Sequence, residues 1–355
     1  MKTIIKLFIG ILLSCNIIAH AQIGDGSIPY SLTDAYKSLY INEQKNINRI
    51  RVGEMDNNDL LVKDSLFHLE NDFSYTFAAP IEINREIQSD MTWDTIENGF
   101  IMGRVQLQSP TSYASFLIFD DFFLPDSTKL YAYNSDGTQY IGAFTESNNK
   151  PYGRFSLGPI IGENITLEII KPIYLNSQPH IHIESFIHSY KDFFNASTNR
   201  YSDCTIDVKC PEGDKWCNQI RSVALIIKLK STGPSAICSG SLITNDRGDF
   251  RPYFLTAYHC CREQNVNDWI FIFNYEANEC DGYSWLYWSS NPFTGYTFSN
   301  SISGATMVAK RGESDFALLE LSARPPSHYN VYYADGIEKM NAPKMVLLLV
   351  ILWEE

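Results

Sequence analysis

Short apolar runs recur along the middle of the chain from Phe77 onward. They follow one another at intervals of about 8–12 residues, and turn signals such as Ser135-Asp136-Gly137 separate them. The clearest runs predict five strands: Phe100–Leu107, Tyr113–Phe119, Lys129–Tyr133, Tyr140–Phe144 and Asn164–Ile170. This spacing is typical of an antiparallel β-sandwich. Residues 30–75 are more polar and carry amphipathic stretches such as Leu60–Leu69, so the pattern defines their structure less well.

A second set of apolar runs lies beyond residue 220 and predicts further buried strands. These runs are Val223–Leu229, Ala236–Thr244, Pro252–Cys261, Trp269–Phe273 and Asp315–Leu321. Aromatic residues make up 14% of the chain, which also favours strands over helical bundles. The sequence therefore predicts a mostly β protein with two β-rich parts.

The first 21 residues have the organisation of a secretory signal peptide. Lys2 and Lys6 form a basic start, Ile4–Ile18 is mostly apolar, and Ala19-His20-Ala21 fits the small-x-small cleavage pattern. The apolar stretch is short and no stop-transfer pattern follows it, which disfavours the alternative of a membrane anchor. We expect cleavage after Ala21 and a secreted or periplasmic protein with no membrane span after cleavage.

Composition narrows the classes of function. A chain of 355 residues with 45% hydrophobic and 19% charged residues can form two or three packed domains. The net charge of −13 argues against nucleic acid or an anionic membrane as the main partner. We expect a monomer that acts on other molecules without a bound cofactor.

The cysteines divide the chain near residue 200. Apart from Cys15 in the predicted signal peptide, all of them lie close together: Cys204, Cys210, Cys217, Cys238, Cys260, Cys261 and Cys280. An odd number leaves one without an intrachain partner, and an exported protein favours disulfides. The spacing of the first three does not match the paired C-x2-C pattern of zinc sites, so we expect no metal.

Candidate chemistry lies in the second half, at His259. This histidine follows an apolar strand and precedes Cys260, and a bridge from Cys260 to Cys238 would anchor that strand. A rigidly held histidine suits a general base, and Asp315 is a candidate for the carboxylate that orients it. By contrast, His180 and His182 alternate on one probable strand; a metal pair is possible there, but surface or packing roles are favoured.

The segments CSGSLI, FLTAYHC and DFALLEL resemble the trypsin-like serine proteases, in which a disulfide closes around the catalytic histidine. The run CTIDVKCPEGDKWCNQIRSVALIIK, residues 204–228, is similar to the start of the mature domain of bacterial lysyl endopeptidases. The resemblance implies a β-sandwich-like pro-region followed by an incomplete trypsin-like double β-barrel. It also implies His259 as the general base, Asp315 as its orienting carboxylate, and protein or peptide substrates.

The resemblance further implies two disulfides, Cys238–Cys260 and Cys210–Cys280. A bridge between Cys217 and Cys261 is a guess, which would leave Cys204 unpaired. The expected organisation is a signal peptide at 1–21, a pro-segment at 22–75, a sandwich-like propeptide domain at 76–199, a partial protease domain at 200–335 and an aberrant tail at 336–355. A processing cut near Arg200 would separate the propeptide, which is expected to assist folding and delay activity.

The catalytic serine of the family is not found in this sequence. In trypsin-like order it would follow the aspartate by about 90 residues, and no GDSGG-like segment occurs. Only Ser322 and Ser327 follow Asp315, and neither lies in a glycine-rich turn. We expect a precursor truncated before its nucleophile and inactive as written, with a frameshifted tail favoured over a buried strand. The alternatives are a protease-like binding protein and an exported sandwich protein in which His259 and Asp315 are incidental.

Overall fold

A computed structural model of the chain describes residues 24–39, 47–70, 75–192, 206, 208–262, 265–276, 280 and 300–335. The predicted signal peptide, the predicted cut near Arg200, Cys204 and the predicted tail all lie outside the described residues. The division of the chain into domains at residues 75, 199 and 335 stays a prediction.

The described residues form a mostly β structure with three short or medium helices. The helices are α1 (Asp34–Leu39), α2 (Asn57–Glu70) and α3 (Cys217–Ile220). The strands before residue 193 are β1 (Asn48–Arg51), β2 (Thr76–Glu86), β3 (Thr92–Ile96), β4 (Phe100–Gln108), β5 (Ala114–Phe123), β6 (Lys129–Tyr133), β7 (Tyr140–Phe144), β8 (Phe155–Ile161), β9 (Asn164–Pro172) and β10 (His180–Ser189). The later strands are β11 (Val223–Lys228), β12 (Ser235–Ile243), β13 (Tyr253–Ala257), β14 (Ile270–Phe273), β15 (Ser301–Ser303), β16 (Ala305–Arg311) and β17 (Phe316–Leu321).

The strands before residue 193 build a two-layer sandwich. One layer has the order β1-β4-β9-β6-β7, with β3 beside the first half of β4 on the edge that β1 occupies beside its second half. The second layer contains β2-β10-β5-β8. Alternate side chains of both layers meet in one core, to which Leu107 and Leu167 contribute from the first layer and Phe119 and Phe186 from the second. The sandwich that the periodic apolar runs predict is therefore present.

The seven strands after residue 220 form a nearly closed barrel. The order β15-β14-β11-β12-β13-β17-β16 returns to its start because β15 and β16 are consecutive in the chain. Gly304 lies between them with a φ of +84°, a conformation that favours glycine. Its N–H donates to the carbonyl of Trp269, and its own carbonyl accepts from the N–H of Ser322. These two bonds join the opposite edges, and the interior holds side chains such as Ile226 and Phe254. The mostly β, trypsin-like fold class is thus confirmed.

Sandwich and barrel share one continuous sheet. Strand β2 pairs with the first residues of β12, where Ser235 lies opposite Ala78. Beside this junction, apolar residues of both parts pack into a common core that includes Phe116 of the sandwich and Ile227 and Ile272 of the barrel. None of the described helices combines the length and apolar character that crossing a bilayer requires.

The shared core leads to a prediction for the isolated second half. We expect residues 200–355, expressed alone, to precipitate or to unfold without a cooperative transition, because the barrel residues that now face the sandwich would become an exposed apolar patch. Circular dichroism during heating tests this, with the full chain in the same buffer as the control. A monodisperse fragment with a sharp transition would contradict it.

Candidate active site

Strand β13 ends beside the start of its neighbour β17, and this brings His259 next to Asp315. His259 lies in a short 3-10 turn, Tyr258–Cys260, directly after β13, and Asp315 directly precedes β17. The two strands are antiparallel, with Ala257 opposite Phe316. The residues just beyond these partners therefore meet at the same end of the barrel.

Asp315 holds His259 through both of its carboxylate oxygens. The backbone N–H of His259 donates to Oδ1 at 2.8 Å, and the ring nitrogen Nδ1 lies 2.7 Å from Oδ2. The backbone also contributes, because the N–H of Tyr258 donates to the carbonyl oxygen of Asp315 at 3.1 Å. One side chain thus fixes both the backbone and the ring orientation of the histidine.

The charge state of Asp315 fixes the tautomer of the ring. Burial acts to raise the pKa of Asp315, but the hydrogen bonds from the backbone and ring of His259 outweigh it and bring this pKa below its usual value of 3.8. The carboxylate is therefore ionised at neutral pH and can only accept, so in the neutral form of the ring Nδ1 carries the proton and Nε2 the lone pair. The side chains are 44% exposed for His259 and 52% for Asp315, so the pair is open to solvent.

Asp315 reaches both donors from an unusual backbone conformation. Its φ is +46° and its ψ is +40°, in the left-handed region, which aspartate adopts more readily than most residues with a side chain. The turn Gly312–Ser314 leads into it, and the N–H of Asp315 donates to the carbonyl of Gly312. The sequence reading placed Asp315 at the start of the strand but did not predict this conformation.

Two disulfides lie within the described residues, and one of them anchors the turn that carries His259. Cys238 on β12 is bonded to Cys260, the residue after His259, and Cys210 is bonded to Cys280. Both are pairings that the family resemblance implied. The first ties the turn to a central strand of the barrel and limits the movement of the imidazole.

The guessed bridge between Cys217 and Cys261 is wrong. Both are free thiols, and they differ in environment: Cys217 is exposed and Cys261 is buried. Burial raises the pKa of the Cys261 thiol, which suppresses its reactive thiolate form. The sequence pattern could not show this difference in burial.

Gly240 lies on β12 between the two serines of the CSGS segment. It is next to β13, the strand that leads to His259. A Cβ atom at this position would come within 2.4 Å of the carbonyl oxygen of Leu255 and of the ring of Phe254. The absence of a side chain therefore lets β12 and β13 approach. Sequence reasoning used this segment only as a family signal and missed its role in packing.

Three potential metal donors lie close together here but are not free to bind. The sulfur atoms of Cys238 and Cys260 and a ring nitrogen of His259 all lie within 4.8 Å of one another. Both sulfurs are used in the disulfide, and a metal requires thiolates. In the oxidised protein this cluster is a covalent anchor rather than a metal centre.

The two histidines of β10 lie in separate ion pairs. Nδ1 of His182 is 2.6 Å from a carboxylate oxygen of Asp120, and Nδ1 of His180 is 3.6 Å from one of Asp121. The first pairing raises the pKa of His182 through its hydrogen bond to Asp120. Each imidazole thus has its own carboxylate partner on β5, as surface histidines commonly do.

A serine–histidine contact lies in the sandwich and, unlike the His259–Asp315 pair, it is buried. Oγ of Ser109 lies 2.7 Å from Nδ1 of His188, and Nε2 lies 2.8 Å from Oδ1 of Asn57. Ser109 and His188 have no exposed surface, and burial lowers the pKa of His188 to about 4. Both ring nitrogens are occupied and no substrate could reach the hydroxyl, so this is a structural contact between α2 and the sheet.

The serines that follow Asp315 do not engage the histidine. Oγ of Ser322 donates to the carbonyl of Ser303 at 2.6 Å. Ser327 is the first residue of the 3-10 turn Ser327–Tyr329. Within the described part of the chain, no hydroxyl is hydrogen-bonded to Nε2 of His259. The geometry therefore provides an oriented base with an accessible lone pair.

Comparison with known proteins finds similarity to lysyl endopeptidases. Residues 198–348 match the family described as the C-terminal domain of lysyl endopeptidase. A lysyl endopeptidase of Pseudomonas aeruginosa is 29% identical over 203 residues, which cover 53% of this chain and 40% of that protein. The family match includes the whole barrel and extends beyond residue 335, into the segment where sequence reading found no resemblance.

Proposed function

We propose that this lysyl endopeptidase-like chain is the precursor of a secreted trypsin-like serine endopeptidase. The observation that carries the proposal is the two-point contact between His259 and Asp315, beside the Cys238–Cys260 disulfide. An imidazole with its tautomer fixed and its other nitrogen accessible is the base that a serine nucleophile requires. The proposal is independent of any metal or cofactor.

In the proposed reaction a serine hydroxyl attacks the carbonyl carbon of a peptide bond. Nε2 of His259 takes the hydroxyl proton during the attack and returns it to the leaving amine. Asp315 stays ionised, keeps the ring in position and stabilises the imidazolium that forms. Since neither Ser322 nor Ser327 contacts the imidazole, we place the nucleophile and its oxyanion hole outside residues 1–355.

The proposed substrates are proteins or peptides, cleaved next to lysine. The preference for lysine rests on the names of the matching family and relative alone. The residues that would bind a lysine side chain are proposed to lie with the missing nucleophile. No nucleic acid and no second copy of the chain takes part.

The rest of the chain fits a precursor. Residues 1–21 would direct export, with cleavage after Ala21, and residues 22–199 would form a propeptide that is separated by a cut near Arg200. The disulfides support folding in an oxidising compartment. Residues 336–355 are proposed to be a tail that does not belong to the protease fold.

We expect residues 1–355 to hydrolyse no peptide ester, because within the described residues no serine hydroxyl is hydrogen-bonded to the imidazole of His259. A form extended by the catalytic segment that the nucleotide sequence encodes past Glu355, in whichever frame, should hydrolyse lysine esters. His259→Ala should abolish that activity, while His182→Ala, which alters an ion pair of the sandwich, should leave it intact. Turnover by residues 1–355 that disappears in His259→Ala would contradict the placement of the nucleophile.

A second candidate function is a protease-like binding protein. The observation that favours it is the lack of a hydroxyl at Nε2 of His259 within the described residues. It would hold if no reading frame past Glu355 encodes a GDSGG-like segment. In that case the exposed pair and its surroundings would bind peptides without cleaving them.

A further inference from the structure

The first part of the interface between the N-terminal half and the barrel is backbone pairing between strands. Strand β2 adds to the start of β12, with Ser235 opposite Ala78 and Ala236 opposite Thr76. The N–H of Ile237 donates to the carbonyl of Tyr75 at 3.1 Å and extends the pairing by one step. The barrel strand would otherwise present these groups as an unpaired edge.

The second part of the interface is an apolar outer face of the barrel that packs against the sandwich. Strands β11 and β14 carry apolar side chains on both faces: Ala224, Ile226, Phe271 and Phe273 fill the barrel, whereas the alternate residues point outward. Those outward residues are Leu225, Ile227, Ile270 and Ile272, and all are buried against the sandwich. Their partners are Phe77, Phe116, Ile118 and Ile187. A surface of this kind is stable only when covered.

The third part of the interface is a largely buried group of three charged side chains, of which Asp268 is the most buried. The guanidinium of Arg154 forms two hydrogen bonds of 2.9 Å with the carboxylate of Asp268, in the turn before β14. It also pairs with Glu184 of the sandwich at 2.5 Å. Bidentate pairs of this kind fix orientation as well as contributing energy. Removing the guanidinium would leave the buried carboxylate of Asp268 and the partly exposed carboxylate of Glu184 without their shared cation.

A lysine adds to this contact from the sandwich side. Nζ of Lys150, which is only 9% exposed, donates to Oγ of Ser303 at 3.3 Å, and the N–H of Ser156 donates to the same oxygen at 3.2 Å. A Cβ atom at Gly304 would lie 2.8 Å from Nζ of Lys150 and from the hydroxyl of Tyr152. The sandwich therefore fits closely against the point where the barrel closes.

The docked half leaves the candidate catalytic pair uncovered. His259 and Asp315 keep 44% and 52% of their side chains exposed, and no described residue before 193 is hydrogen-bonded to either. The polar contacts between the halves lie instead at Asp268, Ser303 and the start of β12. Docking and access to the pair are thus compatible.

We propose that this surface of the barrel is a docking site for the chain's own N-terminal half, which stays bound when the connection between residues 192 and 208 is cut and does not close the His259–Asp315 pair. After such a cut, the N-terminal half remains bound to the barrel and does not block the candidate active site. The proposal does not require the chain to be a peptidase, and its tests use no peptidase activity.

The first test cuts the full chain in its folded state. A recognition sequence for a site-specific protease is placed between residues 193 and 205, and the cut protein is passed over a size-exclusion column at micromolar concentration. Both fragments should elute together at the volume of the uncut chain and separate only in urea. Separate elution in native buffer would overturn the proposal.

The second test removes the central charge of the interface. In cut protein, Arg154→Leu should raise the dissociation constant of the two fragments at least about tenfold, since it leaves the buried carboxylate of Asp268 without its bidentate partner. Arg251→Leu is the matched control, because Arg251 forms an exposed pair with Glu320 within the barrel. Equal dissociation constants for the two variants would contradict the role of the cluster.

Hydrogen exchange tests the docking without any substitution. The amide of Ile237, which donates to Tyr75, should stay protected after the cut, and loss of that protection would count against retention. Diethyl pyrocarbonate reports on access to the pair: in the uncut chain it should modify His259 and spare the buried His188. Protection of both histidines would show that the pair is covered and would overturn that part of the proposal.

Discussion

Asp315→Asn is expected to lower kcat of the nucleophile-bearing form by about 10⁴-fold with little change in KM. An asparagine amide fits the same space, but its NH2 group favours the wrong tautomer of His259, as in the serine protease triad where the corresponding change has this size. The Asp315 carboxylate accepts both from the backbone and from Nδ1 of the histidine, so no other described group can replace it. Initial rates on a lysine ester over a range of substrate concentrations measure the two constants.

The matched control is Asp120→Asn. This aspartate also accepts from a histidine ring, that of His182, at 2.6 Å, but the pair lies on the sandwich. Its substitution should leave kcat unchanged. A loss of less than tenfold in Asp315→Asn, or equal losses in both variants, would contradict the assignment of Asp315 as the positioning residue.

Removing the Cys210–Cys280 disulfide by a double substitution to alanine is expected to lower the free energy of unfolding by about 4 kcal/mol. Removing Cys238–Cys260 is expected to cost about 3 kcal/mol. The first bridge closes a loop of 70 residues and the second a loop of 22, and the entropy that a bridge removes from the unfolded chain grows with the logarithm of loop length. Urea unfolding of the three proteins measures the difference.

The control for both double variants is Cys217→Ala, which removes an exposed free thiol and should leave stability unchanged. The two bridges should also differ in their effect on the site. Only the Cys238–Cys260 bridge is joined to the turn of His259, so only its loss should slow catalysis in the nucleophile-bearing form. A larger loss of stability from the shorter loop would contradict the loop-entropy argument.

Much of the fold follows from the pattern of apolar residues. The runs at Lys129–Tyr133 and Tyr140–Phe144 coincide with strands β6 and β7, and the amphipathic stretch Leu60–Leu69 lies within helix α2. The pattern is less informative where a strand has little apolar content. Strand β16, Ala305–Arg311, is mostly exposed, and its apolar run Met307–Ala309 is too short to mark it as a buried strand.

The candidate site followed from the sequence only with the help of the family resemblance. His259 and Asp315 are 56 residues apart in the chain, and periodicity alone gives no reason to pair them. The segments around them identified the two residues and both disulfides. The pairing guessed for Cys217 and Cys261 had neither a family parallel nor a geometric basis, and it was wrong.

The sequence by itself determined the β class and the approximate strands, because these depend on local periodicity, whereas the candidate histidine, aspartate and disulfides were expectations that rested on short motifs shared with a known family. Only the tertiary structure decided the left-handed conformation of Asp315, the close approach of the barrel strands at Gly240 and the closure of the barrel at Gly304. It also decided that β2 extends the barrel sheet and that Arg154 pairs with Asp268, 114 residues away. Such contacts depend on strand register and on the packing of distant segments, which the order of residues along one chain does not display.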